Sequence, residues 1–265
     1  MKIPCLIALL AALAQAATSL AQASETQADS EEPPHLLGFA LQQDAAYLGS
    51  AKQQTLLIPL VNWQTGNFFA RSSKGIGEAG AHWQLGHGFS LGPQLALEMG
   101  RDSDDSDLLQ QLAMPDIDYG ASLGVHLEHS THIGPAPLAT LIRLRQRSGS
   151  GRGALADLRL ELGVFGTDTL GLQTYLQATW ANQRALMSDF GIKPANGAQI
   201  NISAYTPDAG VRDLIIGIAG KIDLNRKWMV VSAIERRQLR GDAAQSPIAE
   251  QKNSSIITLG SLYRF

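Results

Sequence analysis

The chain has 265 residues, with 21 basic and 24 acidic side chains and a formal net charge of −3. This balance gives no basic field that would gather phosphates, so a nucleic-acid partner is not expected. Apolar residues make up 45% of the chain and the mean hydropathy is −0.03. These values exclude a disordered protein and a bundle of membrane helices. The single cysteine, Cys5, excludes a disulfide framework.

Residues 1–23 have the features of a secretory signal peptide. Lys2 gives a positive start, an apolar run follows over 3–14, and Ala21 and Ala23 flank a cleavage point. The apolar run is shorter than the roughly 20 residues that a membrane span needs. Residues 24–34 are polar and acidic and contain proline, which predicts a flexible leader. Residues 35–265 remain as one predicted domain.

Apolar and polar residues alternate with a period of two along this domain, which predicts strands with one apolar face. In residues 119–129, Leu123, Val125 and Leu127 share one face, whereas His126 and Glu128 share the other. About twelve strands follow from this pattern. They cover residues 36–43, 56–63, 68–71, 79–85, 89–99, 119–129, 138–147, 156–164, 170–180, 214–224, 228–239 and 256–265.

The connections between these strands alternate between short turns and longer polar loops. Outer-membrane barrels are built in this way, with short periplasmic turns and longer extracellular loops. Hydrocarbon offers no partners for backbone groups, so a spanning sheet must close on itself. The pattern therefore predicts a transmembrane antiparallel up-and-down β-barrel. A soluble β-sandwich is the alternative.

Charged side chains in such a barrel belong on the lumen face, because an outward Arg near the midplane costs about 2–4 kcal/mol. On residues 138–147, Arg143 and Arg145 have the parity opposite to Ile142 and Leu144. The same parity rule predicts a lumen-facing charge network made of His82, Glu98, Glu128, Arg143, Arg145, Arg147, Asp157, Arg159, Glu161, Lys221, Asp223, Glu235 and Arg237.

The last strand ends in an aromatic residue, Phe265, which shares its apolar face with Tyr263. A terminal aromatic on an alternating strand looks like the signal read by the outer-membrane assembly machinery. Tyr263 and Phe265, with Trp228 and Phe89 at other strand ends, are also predicted to form the periplasmic aromatic girdle.

Metal and catalytic sites are not predicted. His126 and His129 are three residues apart, so a strand turns them to opposite faces. A hydrolase set into the barrel is the enzyme alternative, with His82 or His126 inside, but no Ser or Asp can be paired with either from sequence. We expect no catalytic residue, cofactor or metal.

Two of the long connections have features of their own. Residues 101–118 are rich in Asp, which predicts a solvated external loop; binding of a divalent cation is the alternative. The segment QRALMSDFGI at 183–192 predicts one or two helical turns over the barrel mouth.

Four blocks of sequence, in order, resemble the MipA/OmpV family, the MltA-interacting proteins of Gram-negative outer membranes. They are AYLGSAKQQTLLIPLVNWQTGNFFA at 46–70, ATWANQRALMSDFGI at 178–192, AYTPDAGVRDLIIGIAGKIDLNRKWMV at 204–230, and RQLRGDAAQSPIAEQKNSSIITLGSLYRF at 237–265. The resemblance implies an outer-membrane barrel without catalytic residues.

The resemblance also implies a function. The family's namesake is described as a scaffold that brings a lytic murein transglycosylase together with a bifunctional penicillin-binding protein. We therefore expect a scaffold that contacts these two enzymes as well as outer-membrane lipid and lipopolysaccharide. A narrow porin-like channel for small polar solutes is the alternative. Lumen charges that pair with one another would block the passage and favour the scaffold.

Overall fold

The computed structural model describes residues 35–72, 76–149, 152–194 and 202–265. The predicted signal peptide and leader, residues 1–34, lie outside the described residues. The described residues form thirteen β-strands. They are β1 (Leu36–Ala45), β2 (Gln53–Thr65), β3 (Phe68–Arg71), β4 (Glu78–Ala81), β5 (Trp83–Gly86), β6 (Phe89–Glu98), β7 (Gly120–Ile133), β8 (Ala136–Arg147), β9 (Ala154–Gly166), β10 (Leu170–Ala181), β11 (Gly210–Asp223), β12 (Trp228–Leu239) and β13 (Asn253–Arg264).

All of these strands belong to one antiparallel sheet that closes on itself. Apart from β4 and β5, each strand pairs with its neighbours in the chain, and β1 pairs with β13 from Leu36 opposite Arg264 to Gln43 opposite Ile257. Both β4 and β5 pair with β6, so together they occupy one place in the wall. The result is a barrel of twelve strand positions among the described residues, which confirms the predicted fold. A sandwich of two sheets is excluded.

The barrel wall is apolar outside and polar inside. Along β8, Ile142 and Leu144 are exposed on the outer face, whereas Arg143 and Arg145 are buried in the lumen. Exposed Leu, Ile, Val and aromatic side chains follow the outer face of every long strand. A soluble protein would bury such a belt, so its position indicates a lipid-facing surface.

The two rims of the barrel differ in their connections. Two-residue turns such as Gly134–Pro135 lie on the rim that also holds both ends of the described barrel. Gly134 has a φ of 59°, a left-handed conformation that glycine adopts without steric cost. The opposite rim holds the long loops, whose described residues include the short α-helices α1 (Asp107–Gln111), α2 (Gln183–Phe190) and α3 (Gly241–Gln245). No helix in the described part of the chain is both long and apolar enough to cross a bilayer.

Most strand boundaries differ from the sequence-based prediction by one to four residues, and two of the differences change the wall or a turn. The predicted strand over 79–85 is split into β4 and β5 at His82, whose N–H donates to the Asn67 carbonyl at 2.8 Å, while the register with β6 stays the same on both sides of the break. β7 extends to Ile133 because Ser130 and His132 continue to pair with β8. The β7–β8 turn is therefore shorter than the predicted 130–135 connection.

Candidate functional site

Three arginines on the inner face of β8 form the centre of the lumen. Arg143, Arg145 and Arg147 are at most 5% exposed. The Asp157 carboxylate on β9 lies 3.1 Å from Nε of Arg143 and 2.9 Å from Nη2 of Arg145, and it also accepts a hydrogen bond from the Thr179 hydroxyl at 3.0 Å. One carboxylate therefore bridges two guanidinium groups in a region shielded from water.

Several ion pairs join strands that are not neighbours in the wall. Arg143 Nη1 on β8 lies 3.3 Å from the Glu78 carboxylate on β4, and Arg145 pairs with Glu98 on β6. Arg71 on β3 pairs with Glu128 on β7 and, at 2.6 Å, with Glu78. Pairs between separated strands, such as Arg143–Glu78, cut across part of the lumen, so they occupy its cross-section as well as neutralise its charges.

Arg159 on β9 is the centre of a second group of contacts. Its guanidinium carbon lies 4.0 Å from the centre of the Tyr175 ring, and its Nε donates to Glu161. Nη1 also donates to the Gln177 side chain at 3.2 Å. A cation over an aromatic face gains from the ring quadrupole most when both are desolvated. Arg159 and Tyr175 are both buried, so this group fills the lumen as a packed unit.

The other predicted network residues lie at different heights in the barrel. Arg237 pairs with Asp44 on β1 at 3.3 Å, whereas Asp223 pairs with Arg264 at 2.9 Å beside the short-turn rim. Glu235 and Lys221 are buried in the lumen. His82 stacks on Phe69. The rule of alternation thus places all of these side chains on the inner side of the wall or at its rim.

Several partners of the network do not follow from the sequence pattern. Glu78 and Arg71 belong to strands of only four residues, which contain too few alternations to define a face. Asp189 belongs to α2, yet its carboxylate lies 2.8 Å from Nη1 of Arg147 and 3.6 Å from Arg212. Nothing in the local sequence around Asp189 indicates such a long-range partner.

The long loops close the mouth of the barrel with an apolar cluster, which we call the cap. Its core residues come from four loops and from the upper ends of the wall strands, and Leu155 on β9 faces into it from the lumen. The cap consists of Tyr47, Leu109, Leu112, Met114, Leu155, Ala181, Ala185, Leu186, Phe190, Ile192, Leu239, Ala243 and Ile248.

The cap corrects one expectation and confirms another. The acidic segment 101–118 was expected to be a solvated loop, but its Leu109 and Leu112 are fully buried in the cap. Its aspartates stay largely on the outside, so the apolar residues between them determine where the loop lies. The predicted helical turns at 183–192 form α2, in which Asn182 accepts a hydrogen bond from the Ala185 N–H at 2.9 Å.

One side of the opposite end of the lumen is apolar rather than charged. Seven buried side chains from β1, β2, β12 and β13 form a cluster that we call the plug: Leu36, Ala40, Ile58, Leu60, Met229, Val231 and Leu262. The prediction of ionic lumen residues did not include this region. In residues 56–61 of β2, apolar side chains occupy both faces, a pattern typical of strands that are covered on both sides.

Aromatic side chains surround the short-turn rim. The rings of Trp228 and Tyr263 are 5.1 Å apart, those of Tyr263 and Phe265 are 6.4 Å apart, and Phe89 stacks on His129 at 4.0 Å. Trp228, Phe89 and Phe265 are exposed at this rim. Their position fits an interfacial belt. The role of Phe265 as an assembly signal stays a prediction.

A closed antiparallel barrel with a lipid-facing exterior, a lumen filled by ion pairs and a cap of loops defines an outer-membrane β-barrel protein. Sequence comparison identifies the family. The chain belongs to the family described as MltA-interacting protein MipA, whose model matches residues 37–265. No curated protein matches the sequence.

Several solved outer-membrane proteins have a similar course of the backbone. The NanC porin is 9% identical, with 86% of this chain and 100% of that chain covered and a TM-score of 0.48. The COG4313 outer membrane channel from Pseudomonas putida F1 is 10% identical, with 91% and 98% covered and a TM-score of 0.47. A bacterial polysaccharide outer membrane secretin is 9% identical, with 87% and 98% covered and a TM-score of 0.46.

Proposed function

We propose that this protein is a non-enzymatic scaffold of the outer membrane, and that its periplasmic rim recruits murein-processing enzymes. The observation that carries this proposal is the closure of the lumen at three levels. The cap covers the mouth, ion pairs between separated strands occupy the middle, and the plug packs one side of the end beside the short turns. A barrel closed in this way is suited to present a surface rather than to pass solutes.

The closure argues against the alternative of a narrow channel. A solute would have to displace buried pairs such as Arg143–Asp157 and Arg143–Glu78, whose side chains are at most 1% exposed. Separating a buried pair leaves an uncompensated charge, which costs about 3–5 kcal/mol.

The family description supports the choice of partner, because it names an interaction with MltA. A lytic murein transglycosylase and a bifunctional penicillin-binding protein act on the periplasmic side, where the short turns lie in this topology. The β11–β12 turn presents two exposed cations there, Arg226 and Lys227, beside the ring of Trp228. A partially apolar, cationic rim can bind an acidic patch on a partner.

Two measurements test the scaffold. In planar bilayers the purified barrel should give little conductance, and robust unitary currents would support the channel instead. In surface-binding assays with a purified lytic transglycosylase and penicillin-binding protein, the wild-type barrel should bind at least one of them. Absence of binding to both enzymes would reject the scaffold.

A matched pair of variants locates the binding surface. Lys227→Glu reverses one exposed charge of the periplasmic rim and should weaken binding of the enzyme. Lys252→Glu reverses one exposed charge within the β12–β13 loop, on the opposite rim, and should leave binding unchanged. Equal loss in both variants would indicate a non-specific effect of charge and would argue against the proposed rim.

A further inference from the structure

The outward face of β12 changes from apolar to cationic near its upper end. Trp228, Ser232, Ile234 and Arg236 share the outward parity and are exposed. Among the acidic and basic residues within the described strands, only Arg236 is exposed on the outward face of the wall. An outward-facing arginine costs about 2–4 kcal/mol near the midplane of a bilayer and about 0–1 kcal/mol near an interface. The height of Arg236 in the membrane therefore determines what it contacts.

The height of Arg236 follows from the length of the strand. Trp228 belongs to the aromatic belt at the short-turn rim, eight positions before Arg236. At about 3.4 Å per residue and a strand tilt of about 40°, Arg236 lies about 21 Å above Trp228. The apolar band of such barrels is about 25 Å tall, so Arg236 lies just inside its upper edge. From there its long side chain can reach the polar headgroups.

Arg240 continues the same face into the headgroup layer. Its φ of −131° and ψ of 166° are extended, and its N–H donates to the Arg212 carbonyl of β11 at 2.9 Å. Arg240 therefore keeps the outward parity of Arg236 and Gln238 beyond the end of β12. At the same rise and tilt it lies about 31 Å above Trp228, which is outside the apolar band. The Arg240 side chain is exposed.

A third exposed cation, Lys252, lies beside the end of β12. Its carbonyl accepts a hydrogen bond from the Leu239 N–H at 2.8 Å. Leu239 is one position from Arg240 and three positions from Arg236, so both arginines lie within about 10 Å of it along the strand. We call these three exposed cations the cationic stripe: Arg236, Arg240 and Lys252.

The cationic stripe lacks a counter-ion. Arg236 donates to the Ser255 hydroxyl at 3.1 Å, and none of the three cations has a carboxylate partner in the part of the chain that the structure describes. The carboxylates of the adjoining loop accept hydrogen bonds from other donors. Glu250 accepts from the Tyr47 hydroxyl at 3.1 Å, and Asp242 accepts from a backbone N–H at 2.7 Å. The stripe therefore presents uncompensated positive charge to the headgroup layer.

The opposite side of the barrel has a different outer face at this height. The upper end of β10 carries Trp180, which is 42% exposed, and the outer face of β8 ends in Leu144 and Gln146. Neither of these two strands has an exposed basic residue. The stripe is therefore a local feature of one side of the barrel rather than part of a ring around the rim.

We propose that the cationic stripe binds the phosphate groups of lipid A, the membrane anchor of lipopolysaccharide, in the outer leaflet. Arginine suits this ligand because its planar guanidinium binds phosphate through two parallel hydrogen bonds. Below the stripe, the acyl chains lie along Ile234 and Ile257, which are 60% and 48% exposed. The stripe is on the rim opposite the short turns, so this site is independent of the proposed scaffold function.

Native mass spectrometry of the full chain in detergent tests the charge requirement. Lipid A should bind saturably, whereas lipid A from which the phosphates have been removed should not. Arg236→Gln and Arg240→Gln should each weaken lipid A binding by about tenfold to about 100-fold, the range for a hydrogen bond to a charged group. The matched control Arg226→Gln removes an exposed arginine from the opposite rim and should leave binding unchanged.

Competition with inorganic phosphate identifies the source of the phosphate group. Millimolar inorganic phosphate should not displace lipid A, because it lacks the acyl chains that contact Ile234 and Ile257. Heat-modifiable gel mobility shows whether each variant is folded. Lys252→Gln changes a cation outside the strands and should also weaken lipid A binding, so it decides the question even if a variant of β12 fails to fold.

Three results would overturn the proposal. The first is equal binding of lipid A and its dephosphorylated form to the wild-type barrel. The second is lipid A binding by folded Arg236→Gln and Arg240→Gln that is no weaker than binding by the Arg226→Gln control. The third is displacement of lipid A by millimolar inorganic phosphate, which would show a site for a small soluble anion rather than for a membrane lipid.

Discussion

Replacing Asp157 by alanine should destabilise the barrel more than any other single change to its charges. The carboxylate is 2% exposed and is shared by Arg143 and Arg145 at 3.1 and 2.9 Å. Removing one partner of a buried ion pair costs about 3–5 kcal/mol, because the remaining charge cannot be solvated. Glu78 and Glu98 keep one contact each to these arginines, so we expect about 3 kcal/mol, at the lower end of the range.

The assay is reversible unfolding of the purified barrel in urea, followed by tryptophan fluorescence and by heat-modifiable gel mobility. Asp223→Ala is the matched control, since it breaks an aspartate–arginine pair at the rim in which Arg264 is 31% exposed. Surface pairs contribute about 0–1 kcal/mol. If Asp157→Ala cost no more than Asp223→Ala, the lumen pairs would be hydrated, and the inference of a closed lumen would be wrong.

Four further changes should give distinct results. Phe190→Ala removes a fully buried ring from the cap, and we expect the cap to lose about 3–5 kcal/mol of stability. Proteolysis of the loops should become faster while the barrel stays intact. Gly217→Ala places a Cβ 2.3 Å from Cζ of the Tyr175 ring, so it should lower the free energy of unfolding in urea by about 1–3 kcal/mol. Gly166→Ala is the control, because its added Cβ meets no atom within 4 Å. Burial raises the pKa of Tyr47 to about 12, so its phenol ionises more readily when the cap is unfolded. Cap stability should therefore fall as the pH rises from about 10 towards about 12. Tyr47→Phe should weaken this dependence in proteolysis at each pH, and Tyr205, whose pKa burial also raises, accounts for what remains. Phe265→Ala should slow insertion by the purified assembly machinery, and equal rates for Phe265→Ala and wild type would reject the assembly-signal prediction.

The barrel and the face on which its charges lie were predictable from sequence because both depend on a period of two. Alternation along β8 predicts that Arg143 and Arg145 face the lumen and that Ile142 faces outward. In the structure both arginines are buried and Ile142 is exposed. That reasoning needs strands long enough to show the alternation. Arg71 and Glu78 lie in four-residue strands, so their place in the network required coordinates.

The cap could be predicted only in part. The α2 segment has the apolar spacing of a helix, and its position over the mouth follows from its place in a long loop. The Arg147–Asp189 pair, by contrast, joins residues 42 positions apart and depends on how α2 lies in the lumen. The buried Leu109 and Leu112 were visible as apolar residues in an acidic loop, but the aspartates around them dominated the interpretation.

The ion pairs and the apolar plug in the lumen differ in how strongly they specify the register of the strands. Slipping a strand by one residue exchanges its two faces. For β8, such a slip would turn Arg143 and its neighbouring arginines into lipid, at about 2–4 kcal/mol for each near the midplane. For β2, a slip exchanges apolar Leu57 for apolar Ile58, so burial alone discriminates little between registers. The ion pairs therefore specify register where they occur, and β2 must obtain its register from its pairing with β1 and from the short turn to β3.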